Sequence, residues 1–213
     1  MSERKKIAAI VTSYFVESHA NLIVSKFAEG FPTEDGLVEP QVDVVSMYMD
    51  QVHSSDVGIA LAASHGVTVY PSIRGALTLT PPSQAHWPTA ADWQDGELAV
   101  DGVLLIGEHG DYPKSEFGQI KYPRYELFKQ VTDVFRSDGR AVPVFNDKHL
   151  SYSFAKAGEM LDDARRLGFP VLAGSSLPVT FRLPDLELPL DCEIESALMV
   201  GVGSSDASDY HSL

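Results

Sequence analysis

The chain has 213 residues, with 16 Lys and Arg against 30 Asp and Glu, a formal net charge of −14. That acidic surplus argues against nucleic-acid backbones and anionic lipid surfaces, which need clustered Lys and Arg. Hydrophobic residues at 44% supply an ordinary packed core, and the lone Cys192 excludes a disulfide framework within the chain.

No apolar run reaches the roughly 18 residues of a membrane span. Residues 7–12 are too short a run for the apolar part of a signal peptide. A cytoplasmic protein with a small-molecule partner is therefore expected, with no nucleic acid and no membrane, and with a homo-oligomer left open.

Apolar, β-branched bursts alternate with segments of helical spacing. Residues 7–12 form the first strand. Ala20, Ile23, Val24, Phe27 and Ala28 then share one face of a helix that closes at Gly30. The second strand covers 42–49. A helix over 54–65 follows, with Val57, Ala60 and Leu61 at helical spacing, then a short third strand at 67–70 and a helical turn at 73–79. Residues 80–98 carry no usable period and read as a loop or insertion. The fourth strand covers 100–107, followed by a polar loop to 123 and a helix over 124–137. The fifth strand is placed at 142–145, a helix at 154–167 and a sixth strand at 171–173. This alternation implies right-handed βαβ units: an α/β, Rossmann-like, doubly wound and mainly parallel sheet with helices on both faces. The expected organisation is one such domain over 1–184 and a short extension over 185–213.

Ligands of open α/β sheets bind beyond the carboxyl ends of the strands, which selects the loops after each strand. The first loop, Thr12-Ser13-Tyr14-Phe15-Val16-Glu17-Ser18-His19, has no glycine. A dinucleotide site wants Gly-x-Gly-x-x-Gly there, so that a pyrophosphate can approach the helix. Thr12, Ser13 and Ser18 still offer hydroxyls to an anion, although Ser18 also fits a plain helix cap, and Glu17 would repel a phosphate. Asp50 ends the second strand, as a ribose-binding acid or as an ordinary turn residue.

The fourth-strand loop, Gly107-Glu108-His109-Gly110-Asp111, holds three metal-ligand or acid–base types within four positions. In the fifth loop, Asn146-Asp147-Lys148-His149, the lysine can act as acid–base group or electrostatic clamp, tuned by its neighbours. That loop also fits a turn and helix entry capped by Ser151 or Ser153. His19, His53, His65 and His86 carry no individual signal.

The order of these segments resembles the nucleotide-binding half of the Gfo/Idh/MocA (glucose–fructose oxidoreductase and inositol dehydrogenase) family, over about residues 5–184. Val100-Asp101-Gly102-Val103-Leu104-Leu105-Ile106-Gly107 resembles its fourth strand. Val144-Phe145-Asn146-Asp147-Lys148-His149-Leu150 resembles the strand and loop that bear its Glu-Lys-Pro motif. The resemblance implies an oxidoreductase acting on a sugar, polyol or related small molecule with NAD or NADP. Lys148 would be the motif lysine that contacts cofactor and substrate, with Asp147 in place of Glu and His149 in place of Pro. The family's large carboxyl-terminal domain would have only 29 residues after Pro184, so it is expected to be absent or truncated.

Three functional readings follow. The first is such an oxidoreductase, with Lys148, His109, Asp147 and His149 at the chemistry and Thr12, Ser13, Ser18, Asp50 and Glu108 toward the cofactor. The second is a lyase, isomerase or hydrolase using the same two loops; a divalent metal, if used, would sit on Glu108, His109 and Asp111. The third is a small-ligand-binding protein without catalysis.

Overall fold

The burst after the basic start runs extended as β1 (Lys5–Val11) in the computed structural model, which describes residues 4–33, 36–80, 97–174, 189 and 191–198. The last five residues of β1 are buried, as expected for a central strand covered on both faces. Ser18 caps α1 (His19–Glu29) by accepting from the Asn21 amide, and Gly30 ends it at φ 110°. A small antiparallel hairpin, β2 (Phe31–Thr33) and β3 (Gly36–Val38), leads to β4 (Val42–Met49). Then come α2 (Gly58–Ser64), β5 (Thr68–Tyr70), α3 (Ile73–Thr78) and β6 (Gly102–Ile106). The last described elements are α4 (Arg124–Asp138), β7 (Val144–Asp147), α5 (Phe154–Leu167) and β8 (Val171–Gly174).

Six strands form one sheet in the order β5-β4-β1-β6-β7-β8, with every pairing parallel. Numbered within that sheet, the order is 3-2-1-4-5-6, the doubly wound arrangement in which strand order reverses beside β1. The fold is therefore α/β and Rossmann-like.

Alternation along the central strands sorts the core into two layers. Ala8, Ile10, Val103 and Leu105 pack with Ile73 and Leu77 of α3, Phe128 and Phe135 of α4, and Met160 of α5. Ile7, Ala9, Val11, Leu104 and Ile106 pack with Ala20 and Val24 of α1 and Ala62 of α2. Each fully buried Leu, Ile, Val or Phe contributes about 1.5–3 kcal/mol by leaving water.

A buried carboxylate ties α4 to α5. Asp163 is fully buried and accepts from Lys129 at 2.5 Å, from Arg136 at 2.9 Å, and from Arg166. Burial alone would raise its carboxyl, but these three cations hold it down to about 2.

The structure departs from the expected elements in several places. The β2–β3 hairpin has no counterpart in the sequence reading, because two exposed three-residue strands leave no periodic signal. The helix expected over 54–65 is only Gly58–Ser64, since residues 54–57 form a turn and a bridge between Phe15 and Asp56. The fifth strand is displaced toward its carboxyl end, so Asn146 and Asp147 are ladder residues rather than loop. The fourth strand starts at Gly102, two residues later than expected. Most of the 80–98 loop and of the 185–213 extension lies outside the described residues. Among the described residues, no helix is long and apolar enough to cross a membrane.

Candidate functional site

The β1, β6 and β7 ends deliver the polar residues of the site to one edge of the sheet. Thr12 leaves β1 and donates its hydroxyl to the Glu108 carbonyl at 2.6 Å, joining the first and fourth-strand loops. Glu108 is 4% exposed, and its two carboxylate oxygens accept from different cations. Lys148 reaches Oε1 at 2.9 Å, and Arg124, at the start of α4, reaches Oε2. Arg124 also lies 3.1 Å from His149 Nε2. A guanidinium can only donate, so that imidazole nitrogen accepts. Burial presses the Arg124 guanidinium below its usual range, opposed chiefly by the Glu108 charge. Gly107 makes this packing feasible: a Cβ there would lie 2.6 Å from Arg124 Cγ.

A second polar pair lies beside this cluster. Asp147, at the end of β7 and 2% exposed, accepts from or shares a proton with His19 Nδ1 at 2.7 Å. The site thus sets two carboxyl groups, Asp147 and Glu108, beside Lys148, Arg124 and His19. The His19 ring stands edge-on to that of His109, with centroids 5.4 Å apart, and Phe15 lies between His109 and His53 at 5.1 and 4.6 Å. Burial lowers the His109 pKa, with Glu108 opposing and His19 and Lys148 adding to the drop.

Backbone strain concentrates here as well. Five described non-glycine residues have positive φ, and three of them are Glu17 (67°), His109 (69°) and Lys148 (52°), one in each of the three loops. Each such residue costs of order 1 kcal/mol, which surrounding contacts must offset.

Toward β4 the site opens into a cleft of about 460 Å³ lined by Ser13, Phe15, Gln51, His53, His109 and Asp111, among others. Two buried polar atoms on its lining residues, Ser13 Oγ and His109 Nε2, have no hydrogen-bond partner among the described residues. Buried polar groups are nearly always paired, so such atoms mark places where a ligand or water completes the bonding.

One wall of the cleft is residues 51–54, in the loop after β4, next to Asp50. Asp50 accepts from the Tyr48 phenol at 2.8 Å and from the Tyr112 phenol at 2.7 Å, one on each oxygen. The Gln51 side chain pairs at both ends with the main chain of Asp111, at 3.0 and 2.9 Å.

No family model matches this sequence, and no curated protein matches it. Solved structures do match. A dehydrogenase (MviM) from Clostridium difficile is 11% identical with a TM-score of 0.46, over 81% of this chain and 39% of that one. GenD2 from gentamicin A biosynthesis, in complex with NAD, is 21% identical with a TM-score of 0.45, over 82% and 35%. Biliverdin reductase from Synechocystis sp. PCC 6803, in complex with biliverdin and NADP+, is 13% identical with a TM-score of 0.44, over 79% and 37%. The chain thus spans less than two fifths of the length of these three proteins.

The residues at the switch point do not fit a nicotinamide dinucleotide. The β1 loop carries Tyr14 and Phe15 where glycines would let the pyrophosphate approach. Exposed Glu17 adds a negative charge just ahead of α1. Ser18, one of the hydroxyls considered for an anion, accepts from the amides of Phe15 and Asn21 and so acts as the helix cap. Thr12 donates instead to Glu108, and Asp50, although exposed, already accepts a phenol on each of its oxygens. A metal on Glu108, His109 and Asp111 finds no support either. Glu108 is held by two cations, and no group of three His, Cys, Asp or Glu among the described residues could hold an ion.

Of the residues singled out from the sequence, Lys148 meets Glu108 directly and His149 joins them through Arg124, while Asp147 and His109 both adjoin His19. Arg124 and His19 were not foreseen. Arg124 looked like an ordinary helix start, and the only local hint was the Gly107 that makes room for it. His19 directly after a capping serine gave no hint, because its partner is 128 residues away.

Proposed function

We propose that this chain carries an acid–base active site for a small, uncharged polar substrate, and that it catalyses a proton-transfer reaction of lyase or isomerase type. One observation carries the reading: an imidazole held at 2.7 Å by a buried carboxylate, His19 on Asp147, with the His109 ring edge-on beside it. A carboxylate so placed orients the ring and stabilises the imidazolium that forms when the ring takes a proton. His109, whose Nε2 has no hydrogen-bond partner among the described residues and whose pKa burial lowers, is suited to bind or relay a proton at the substrate's hydroxyl or carbonyl. Lys148 and Arg124 hold Glu108 rigidly and keep the floor of the site from carrying net negative charge.

A second reading is a nicotinamide-dependent oxidoreductase acting on a sugar, polyol or related molecule. It is favoured by Lys148, which follows β7 at this edge of the sheet, where an ammonium can polarise a reacting oxygen. The poor fit of the dinucleotide weighs against it.

One assay separates the two. Pools of aldoses, ketoses, polyols and hydroxy acids are incubated with the protein in D2O and followed by proton NMR, in parallel with NAD and NADP reduction. The acid–base reading expects deuterium incorporation or product without nucleotide, reduced about 10²–10⁴-fold in His19→Ala. Turnover that appears only with NAD or NADP would overturn it in favour of the oxidoreductase.

A further inference from the structure

In this sheet β4 and β6 flank β1, so any contact between their loops passes over the carboxyl end of β1. That is where the strand order reverses and where a dinucleotide lies across an open sheet of this kind. Four hydrogen bonds make that crossing or brace it: Tyr48 and Tyr112 on Asp50, and the two-ended pairing of Gln51 with Asp111. The chain is shaped for this contact. Gly110 sits at φ 108°, and a Cβ there would lie 2.6 Å from the Tyr112 ring and 3.1 Å from Gln51 Oε1. Only glycine both adopts that backbone and lets Tyr112 and Gln51 close over it.

We propose that these bonds form a latch that shuts the dinucleotide path across β1 and leaves beside it a cleft for a compact ligand without phosphate. The acid that would read a ribose has become the anchor of the latch. The cleft agrees with this in chemistry: its lining among the described residues includes no Lys or Arg to neutralise a phosphate. It carries instead Ser13, His109 and the phenyl ring of Phe15. Such a lining suits an uncharged ligand that presents one polar group to Ser13 and His109 and an apolar face to the phenyl ring. This inference concerns what can enter the site and stands apart from the acid–base reading, which concerns what happens there.

The test uses the whole chain. NADH, NADPH and AMP are titrated to millimolar concentration, by nicotinamide fluorescence for the first two and calorimetry for the third. Amide hydrogen exchange is followed over residues 108–112. The wild type is expected to show no saturable binding of any of the three. Gln51→Ala is expected to speed exchange of the Asp111 amide by at least an order of magnitude, because that N–H loses its acceptor. Tyr112→Phe, which keeps the ring, serves as a second variant and is expected to speed exchange across the same segment. Saturable nucleotide binding by the wild type, with or without loss of protection at Asp111, overturns the proposal. So does unchanged exchange in both variants.

Discussion

Replacing Glu108 with Gln tests whether the floor of the site is held by charge or by shape. Glu108 is 4% exposed, Lys148 3% and Arg124 1%, so all three are out of water. At 2.9 Å and an effective dielectric near 20, the Lys148 pair alone has a gross attraction of about 6 kcal/mol. Much of that is offset by desolvation of both ions. Glutamine keeps the size of the side chain but presents an amide N–H₂ to one of the two cations, placing donor against donor. Two buried cations would then share one carbonyl acceptor. Removing one partner of a buried pair costs about 3–5 kcal/mol, a large part of the 5–15 kcal/mol that stabilises a typical domain. For a chain of this size each kcal/mol lowers Tm by about 2–4 °C, so a drop of roughly 6–20 °C is expected. Guanidinium unfolding followed by circular dichroism measures the change, with an unaltered m-value confirming a true loss of stability. Lys148→Met in the Glu108→Gln background removes one orphaned cation at similar volume, and should recover part of the loss. A Glu108→Gln cost below about 1 kcal/mol, the worth of an exposed pair, would refute the account.

The lowered pKa of His109 makes stability depend on pH. Its folded pKa lies below the ordinary 6.5, so the unfolded chain binds the proton first and stability falls as pH drops below about 6.5. His109→Gln should flatten that slope in Tm against pH, and an unchanged slope would count against it. Asp163 works at lower pH, because its carboxyl is held down from 3.8 to about 2. Its contribution, of order 2 kcal/mol, is complete above pH 4 and is lost as pH falls toward 2; Asp163→Asn should remove that part of the acid transition. Gly107→Ala puts a Cβ into Arg124 and should cost about 1–3 kcal/mol by overpacking, read by the same guanidinium unfolding. A neutral result would mean that Arg124 has room to withdraw from Glu108.

How far the sequence carried the argument differs between the fold and the site. Val42–Met49 and Phe154–Leu167 were read to the residue, because a β-branched run and a capped 3.6-residue period are local signals. Ser18 and Ser153 as caps were legible for the same reason: each bonds an amide three residues on. The β6 and β7 loops were selected by their chemistry, and Glu108 and Lys148 do meet, across 40 residues. Their use was not legible. A run such as Glu-His-Gly-Asp reads as metal-ligand or acid–base types until the structure brings Lys148 and Arg124 onto the carboxylate. Asp50 reads as a ribose acid until Tyr112, from a loop 62 residues later, occupies it.

The sequence by itself determined the alternation of strands and helices, and with it the α/β class and the edge of the sheet where polar residues collect. Periodicity is local, and right-handed crossovers leave few ways to wind such a chain. Only the tertiary structure decided which polar groups pair. Strand order set β1 between β4 and β6, and thereby put Gln51 on Asp111, Tyr112 on Asp50, and His19 beside Asp147. Whether a carboxylate faces a cation, a phenol or open solvent depends on which strand ends become neighbours, and no short stretch of sequence carries that.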